Sequence, residues 1–115
     1  MNSLIIDGCV QQNPKLDETE NAPLSFNISV VTGTIDERRI FTYIRVILNN
    51  TDKDVLNVIE PGRMIRIYGK LNSEQYITKS NKIVYNKIID AENVVPIRFN
   101  KDIGDYVEIG GTNVE

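Results

Sequence analysis

Hydrophobic and polar residues alternate most clearly from Ile40 to Leu48, where Ile40, Thr42, Ile44, Val46 and Leu48 fall on one side and Phe41, Tyr43, Arg45 and Ile47 on the other. A period of two is that of a half-buried strand. One side can enter a core, while the other presents two rings and a guanidinium, a mixture suited to stacking on bases and neutralising phosphates. The same period appears just upstream, with Leu24, Phe26, Ile28 and Val30 set against Ser25, Asn27, Ser29 and Val31. The polar stretch Gly33 to Arg39 then links the two segments as the turn of an antiparallel hairpin. Leu4 to Val10 is a first strand, expected to bend or bulge at Gly8. Between it and the second strand, residues 11 to 23 carry two prolines and three carboxylates and predict a surface loop.

The pattern changes after Asn49. Thr51 is followed three residues later by Asp54, an imperfect capping box, and Val55, Val58 and Ile59 then fall at helical spacing before Pro61-Gly62. This spacing predicts a short helix that plugs one end of whatever the strands form. Period two resumes at Arg63 to Leu71, with Ile65, Ile67, Gly69 and Leu71 facing in and Met64, Arg66, Tyr68 and Lys70 facing out. Tyr76 to Thr78 and Ile83 to Ala91 flank the polar turn Lys79-Ser80-Asn81-Lys82 and predict a hairpin that also bears Tyr85 and Lys87. Ile97 to Glu115 is either a last strand or a loosely held tail. The expected fold is all-β, a five-stranded Greek-key OB-fold barrel with one short helix between strands three and four. Residues 1–97 form the domain, and residues 98–115 a C-terminal strand or tail.

Composition narrows the functional classes. One chain of 115 residues, 41% hydrophobic and 25% charged, fits a single globular domain. No apolar run approaches the length of a spanning helix, so no membrane partner is expected. The start, Met-Asn-Ser-Leu-Ile-Ile-Asp-Gly, has no basic segment ahead of its apolar run and does not resemble a secretory signal, which places the chain in the cytoplasm. With one cysteine and no histidine, an internal disulfide and the common zinc arrangements are both excluded. Cys9 is expected to be a small core residue of the first strand. Neither a phosphate-cradling glycine loop nor a nucleophile elbow is present, so the chain is expected to bind without catalysis and without a cofactor.

The net charge is −3, yet the charges are unevenly spread. Arg38 to Ile89 holds ten basic residues and four acidic ones, a balance of +6, which leaves −9 for the remainder. Such a division supplies a local positive field despite an acidic whole.

These features together resemble the bacterial single-stranded DNA-binding protein family. The resemblance runs from about Asn2 to Ile97 and rests on several segments: the first strand ending near Gly8 and leading to Asn13-Pro14, the Leu24 to Val30 strand, and Phe41-Thr-Tyr-Ile-Arg-Val-Ile-Leu48. It continues through Pro61-Gly62, Arg63-Met-Ile-Arg-Ile-Tyr-Gly-Lys-Leu71, Tyr76 and a lysine-containing hairpin. The resemblance implies an aromatic at Tyr43 and a cation at Arg45 on the DNA face, a base-stacking aromatic at Tyr76, and assembly as a homodimer or homotetramer. The chain departs from the family in having no tryptophan, so tyrosine and phenylalanine must do the stacking. Its last residues, Gly-Gly-Thr-Asn-Val-Glu, also differ from the acidic, apolar tip by which such proteins recruit replication and repair partners, and recruitment by that route is not expected.

The expected activity is binding of single-stranded DNA with little sequence preference, in replication, recombination or repair. Phosphates would be neutralised by Arg45, Arg66, Lys70, Lys79, Lys82 and Lys87, with Arg45 and Arg66 on strands expected to be adjacent. Bases would lie on Phe41, Tyr43, Tyr68, Tyr76 and Tyr85. Phe41 and Tyr85 fit core or subunit contacts better than stacking platforms, and Tyr68 fits an oligomer interface equally well. Two other readings stand beside this one: a primosomal replication-restart accessory protein of the same fold, and an OB-fold module whose outward Tyr and Arg residues contact a protein.

Overall fold

The computed structural model describes residues 1–11, 23–49 and 57–109. It contains six strands: β1 (Leu4–Val10), β2 (Leu24–Ile35), β3 (Arg38–Leu48), β4 (Met64–Ile77), β5 (Ile83–Asn100) and β6 (Asp105–Glu108). Their order is β3-β2-β1-β4-β5-β6, and a parallel pairing of β3 with β5 closes the first five into a barrel. This is the expected Greek-key OB-fold, with β6 added at the far end of β5. The expected helix falls largely on residues 50–56, outside the described residues. Among the described ones no helix occurs, and Asn57-Val58 lies in a turn.

Alternation places the core as the sequence implies. Val10, Leu24, Phe26, Ile28, Val46, Leu48, Ile65, Ile67, Ile89, Ala91 and Val94 pack together in the barrel, and Ile59 joins them from the segment before β4. Apart from Ala91, removing each such side chain from water contributes roughly 1.5 to 3 kcal/mol. These residues therefore fix which face of every strand points out.

Several expectations need correction. Gly8 does not bend β1, which stays in unbroken register with β4 from Leu4 to Cys9. The glycine instead makes room for a neighbour, because a Cβ there would come within 2.9 Å of Ile28 Cδ1. Cys9 is not a core residue. With Gly8 and Val10 pointing in, alternation turns Cys9 out, half-buried between Ser29 and Met64. The stretch read as a turn, Gly33 to Arg39, is mostly strand, and the true turn is Asp36-Glu37, both at positive φ of 51° and 67°. Positive φ at two successive residues matches the twist of a two-residue hairpin.

Downstream, the short segments 63–71 and 76–78 are one continuous strand, β4. β5 is longer than expected and runs through Pro96. The β4–β5 ladder ends where Ile65 faces Pro96, and from Ile97 onward β5 pairs with β6. Proline lacks the N–H that another rung would need, so the change of partner falls where the chain can tolerate it. A register shift between Tyr68 and Gly69 opposes two β4 residues to three of β5. Gly69 is required there, since a Cβ would collide with the Asp90 carbonyl oxygen.

Candidate nucleic-acid interface

The outward side of β3 carries Arg39, Phe41, Tyr43 and Arg45 in one line, opposite Thr34, Val31, Ser29 and Asn27 of β2. Phe41 and Tyr43 are 46% and 67% exposed, so neither ring is spent on the core. Tyr85 is 65% exposed as well, and the core reading of Phe41 and Tyr85 does not hold.

Arg45 joins three strands. Its Nε donates to Ser25 Oγ of β2 at 2.8 Å, and its Nη1 lies 2.7 Å from both carboxylate oxygens of Glu74 on β4. In register terms Arg45 sits beside Ile88 of β5, whose other neighbour is Asn72 of β4, so the ion pair bridges over Ile88. Ile88 is only 5% exposed although it stands outside the barrel core, consistent with that cover. Tyr76 follows Glu74 by two positions on β4 and therefore shares its face. Tyr43, Arg45 and Tyr76 thus stand on one outward surface made by β3, β5 and β4.

The β4–β5 hairpin divides the remaining predicted residues between its two faces. Tyr85 pairs with Gln75 and Lys87 with Ser73, so both lie on the side away from Tyr76. Lys79 and Lys82 lie at the tip, held by the bonds Thr78 N–H to the Lys82 carbonyl at 2.9 Å and Asn81 N–H to the Thr78 carbonyl at 2.9 Å. Lys70 is outward on β4 with its Nζ 3.7 Å from Glu92, both side chains well exposed.

Arg66 and Tyr68 occupy a different region. β3 and β4 are not neighbours, so Arg45 and Arg66 do not sit on adjacent strands as expected. Arg66 faces Asp7 of β1 and grips it at both carboxylate oxygens, 2.7 and 3.0 Å. β6 folds back over the same spot: Glu108 lies 3.5 Å from Arg66 Nη1, the Tyr106 carbonyl accepts from Arg66 Nη2 at 3.4 Å, and the Tyr68 hydroxyl donates to Glu108. The hydrogen bonds to Asp7 hold the Arg66 guanidinium still more firmly protonated than usual. The bond to Glu108 likewise raises the Tyr68 phenol above its ordinary range, because a neighbouring carboxylate disfavours phenolate.

Two cations stand out from the stretch expected to be a turn. Arg38 and Arg39 are exposed on β3 and, with Lys79, Lys82 and Lys87, have no carboxylate partner among the described residues. Continuing the alternation of Phe41, Tyr43 and Arg45 two positions back would have found Arg39. Arg39 and Phe41 border an open groove of about 780 Å³ over β1 and β2. Its opposite wall is Phe99 and Tyr106, which meet edge to face with centroids 5.4 Å apart.

Comparison with solved structures finds the crystal structure of a small single-stranded DNA-binding protein from Streptomyces coelicolor, at a TM-score of 0.66 and 15% identity, covering 89% of this chain and 96% of that one. At that identity the likeness is one of fold, and it agrees with the barrel topology. No curated protein sequence matches the chain. A family model, described as the single-strand binding protein family, matches residues 1–97, which takes in the whole barrel and the outward surface of β3, β5 and β4. This chain belongs to the single-strand binding protein family.

Proposed function

We propose that this chain binds single-stranded DNA with little sequence preference, in the cytoplasm, through the barrel of residues 1–97 and without a chemical step. The observation that carries this reading is the exposed set Tyr43, Arg45 and Tyr76 on one surface, within a chain of the single-strand binding protein family. Bases stack on Tyr43 and Tyr76, each worth about 1 to 3 kcal/mol and tolerant of sequence because every base has a π-face. Phe41, next in line on β3, extends the platform. Phosphates are neutralised by Arg45, Lys70 and the exposed cations Arg38, Arg39, Lys79, Lys82 and Lys87, with Tyr85 and Lys87 serving a strand that wraps around the hairpin. Arg66 and Tyr68 belong to the fold more than to the interface, since Arg66 is 20% exposed and held by Asp7, Glu108 and the Tyr106 carbonyl, with Tyr68 bonded to the same Glu108.

The chain also associates with itself. β1 is in register with β2 only at Cys9 and Val10, which leaves Leu4 to Gly8 with an unpaired edge beside an exposed Ile5. A second copy can cover that edge, as sheet edges require.

Titration with oligo-dT tests the proposal. Binding should quench the intrinsic tyrosine fluorescence and weaken as salt rises, with a slope of about −0.7 per neutralised phosphate. Light scattering on the same sample should give a mass above that of one chain. Absence of any quenching at low salt would leave the DNA reading without support.

A further inference from the structure

We propose that Glu74 is a built-in competitor of the DNA phosphate at Arg45, so that strand binding releases the β4–β5 hairpin from β3. The inference rests on the single-stranded DNA reading and concerns the same surface. A guanidinium offers its donors as a planar fork that suits carboxylate and phosphate alike. In Arg45 one prong is taken: Nη1 holds both Glu74 oxygens at 2.7 Å, and Nε is committed to Ser25. Nη2 has no partner among the described residues, which leaves its donors for an incoming anion. A phosphate that takes the Nη1–Nη2 edge with two bonds must displace Glu74, because both hydrogens of Nη1 already go to the carboxylate oxygens.

The pair is suited to opening. Its side chains are 44% and 34% exposed, and solvent-exposed ion pairs of this kind are weakly held. Asp7 and Arg66 differ, being 30% and 20% exposed and engaged at two separate nitrogens. Position matters too. Glu74 lies on the hairpin beyond the parallel seam of β3 and β5, and Arg45 is the first residue of that seam. The carboxylate thus ties the protruding part of β4 to β3, and its displacement leaves the hairpin free to follow the strand stacked on Tyr76.

The closing experiment compares oligo-dT binding by the wild-type chain and by Glu74→Gln over a range of salt. The glutamine variant should bind about three to ten times more tightly at low salt. Its salt slope should steepen, because in the wild type the carboxylate let go by Arg45 recaptures part of the counterion that the phosphate gives up. Asp102→Asn, in the turn between β5 and β6, makes the same change in net charge away from the surface and should gain less. In an Arg45→Ala background, Glu74→Gln should gain nothing beyond that control. Unchanged or weaker binding by a Glu74→Gln chain whose melting temperature matches wild type overturns the inference, as does a gain that survives the loss of Arg45. If the wild-type chain binds no oligo-dT at all, the functional reading falls and this inference falls with it, whereas binding by wild type without a gain in the variant overturns this inference alone.

Discussion

The two ends of β4 carry the same chemistry and put it to different uses. Near its start, Arg66 and Tyr68 point outward beside β1; near its finish, Tyr76 points outward on the face where Arg45 reaches Glu74. At the first end the arginine and the tyrosine both belong to β4, and at the second the tyrosine is β4's and the arginine comes from β3. In the fold the first end is gripped by Asp7 and covered by Glu108 and the Tyr106 carbonyl, and the second stays open to solvent. An aromatic beside a cation is therefore not enough to mark an interface. The two cations differ in shelter: Arg66 is 20% exposed and held by two carboxylates and a carbonyl, and Arg45 is 44% exposed and held by one carboxylate.

The comparison can be broken by substitution. The largest effect is expected at the open end: Tyr43→Ala and Tyr76→Ala should each weaken oligo-dT binding by about 1 to 3 kcal/mol, roughly 5- to 150-fold. Melting temperatures should stay near wild type, because the rings are 67% and 49% exposed. Equal affinity in both variants would show that bases lie elsewhere. Arg66→Ala should do the reverse at the closed end. Stripping Asp7 of its partner should cost about 1 to 2 kcal/mol of stability, read as a drop of several degrees in melting temperature, while affinity for oligo-dT changes little.

The smallest effect is a titration. Folding raises the phenol of Tyr68 above its usual value of about 10, chiefly through the hydrogen bond to Glu108. Because the folded state favours the protonated form, this contribution is complete below that usual value and disappears as pH climbs through the raised one. Ultraviolet absorbance of the five tyrosines should show a late phenolate step that Tyr68→Phe removes and Glu108→Gln moves to lower pH. A wild-type curve with no late step would mean that β6 does not hold Tyr68.

Much of the barrel was legible from the chain. Alternation in Leu24 to Val30, Ile40 to Leu48 and Arg63 to Leu71 named the core face, and all three segments lie in strands, with Leu24, Phe26, Ile28, Val46, Leu48, Ile65 and Ile67 buried and Ile40, Thr42 and Leu71 exposed. The errors share a cause, which is that local pattern cannot see distant partners. Asp36 and Glu37 are not the glycine or asparagine that usually announce a two-residue turn, so the hairpin was cut short and Arg39 was lost from the line of Phe41 and Tyr43. The pattern from Ile83 is clear only to Ala91, yet β5 runs on to Asn100 and at Pro96 exchanges β4 for β6. Arg45 and Arg66 find carboxylates 29 and 42 positions away, and no spacing rule reaches that far. Cys9 was placed in the core on residue type, and its position in the alternation overruled that.

β5 has three partners in turn: β4 along most of its length, β3 at residues 88–91 and β6 at its end. The parallel seam joins Arg45–Leu48 to Ile88–Ala91, two stretches far apart in the chain. During synthesis, the hairpin of β2 and β3 therefore leaves the ribosome well before the strand that will seal it. Until residue 91 is available, Val46 and Leu48 lack their neighbours Ile89 and Ala91, and the β3 edge is open to neighbouring chains. Pairings of this range are slow to form. The interval before closure is when this chain is most exposed to misassembly, and its length is set by how quickly the last third of the polypeptide is made.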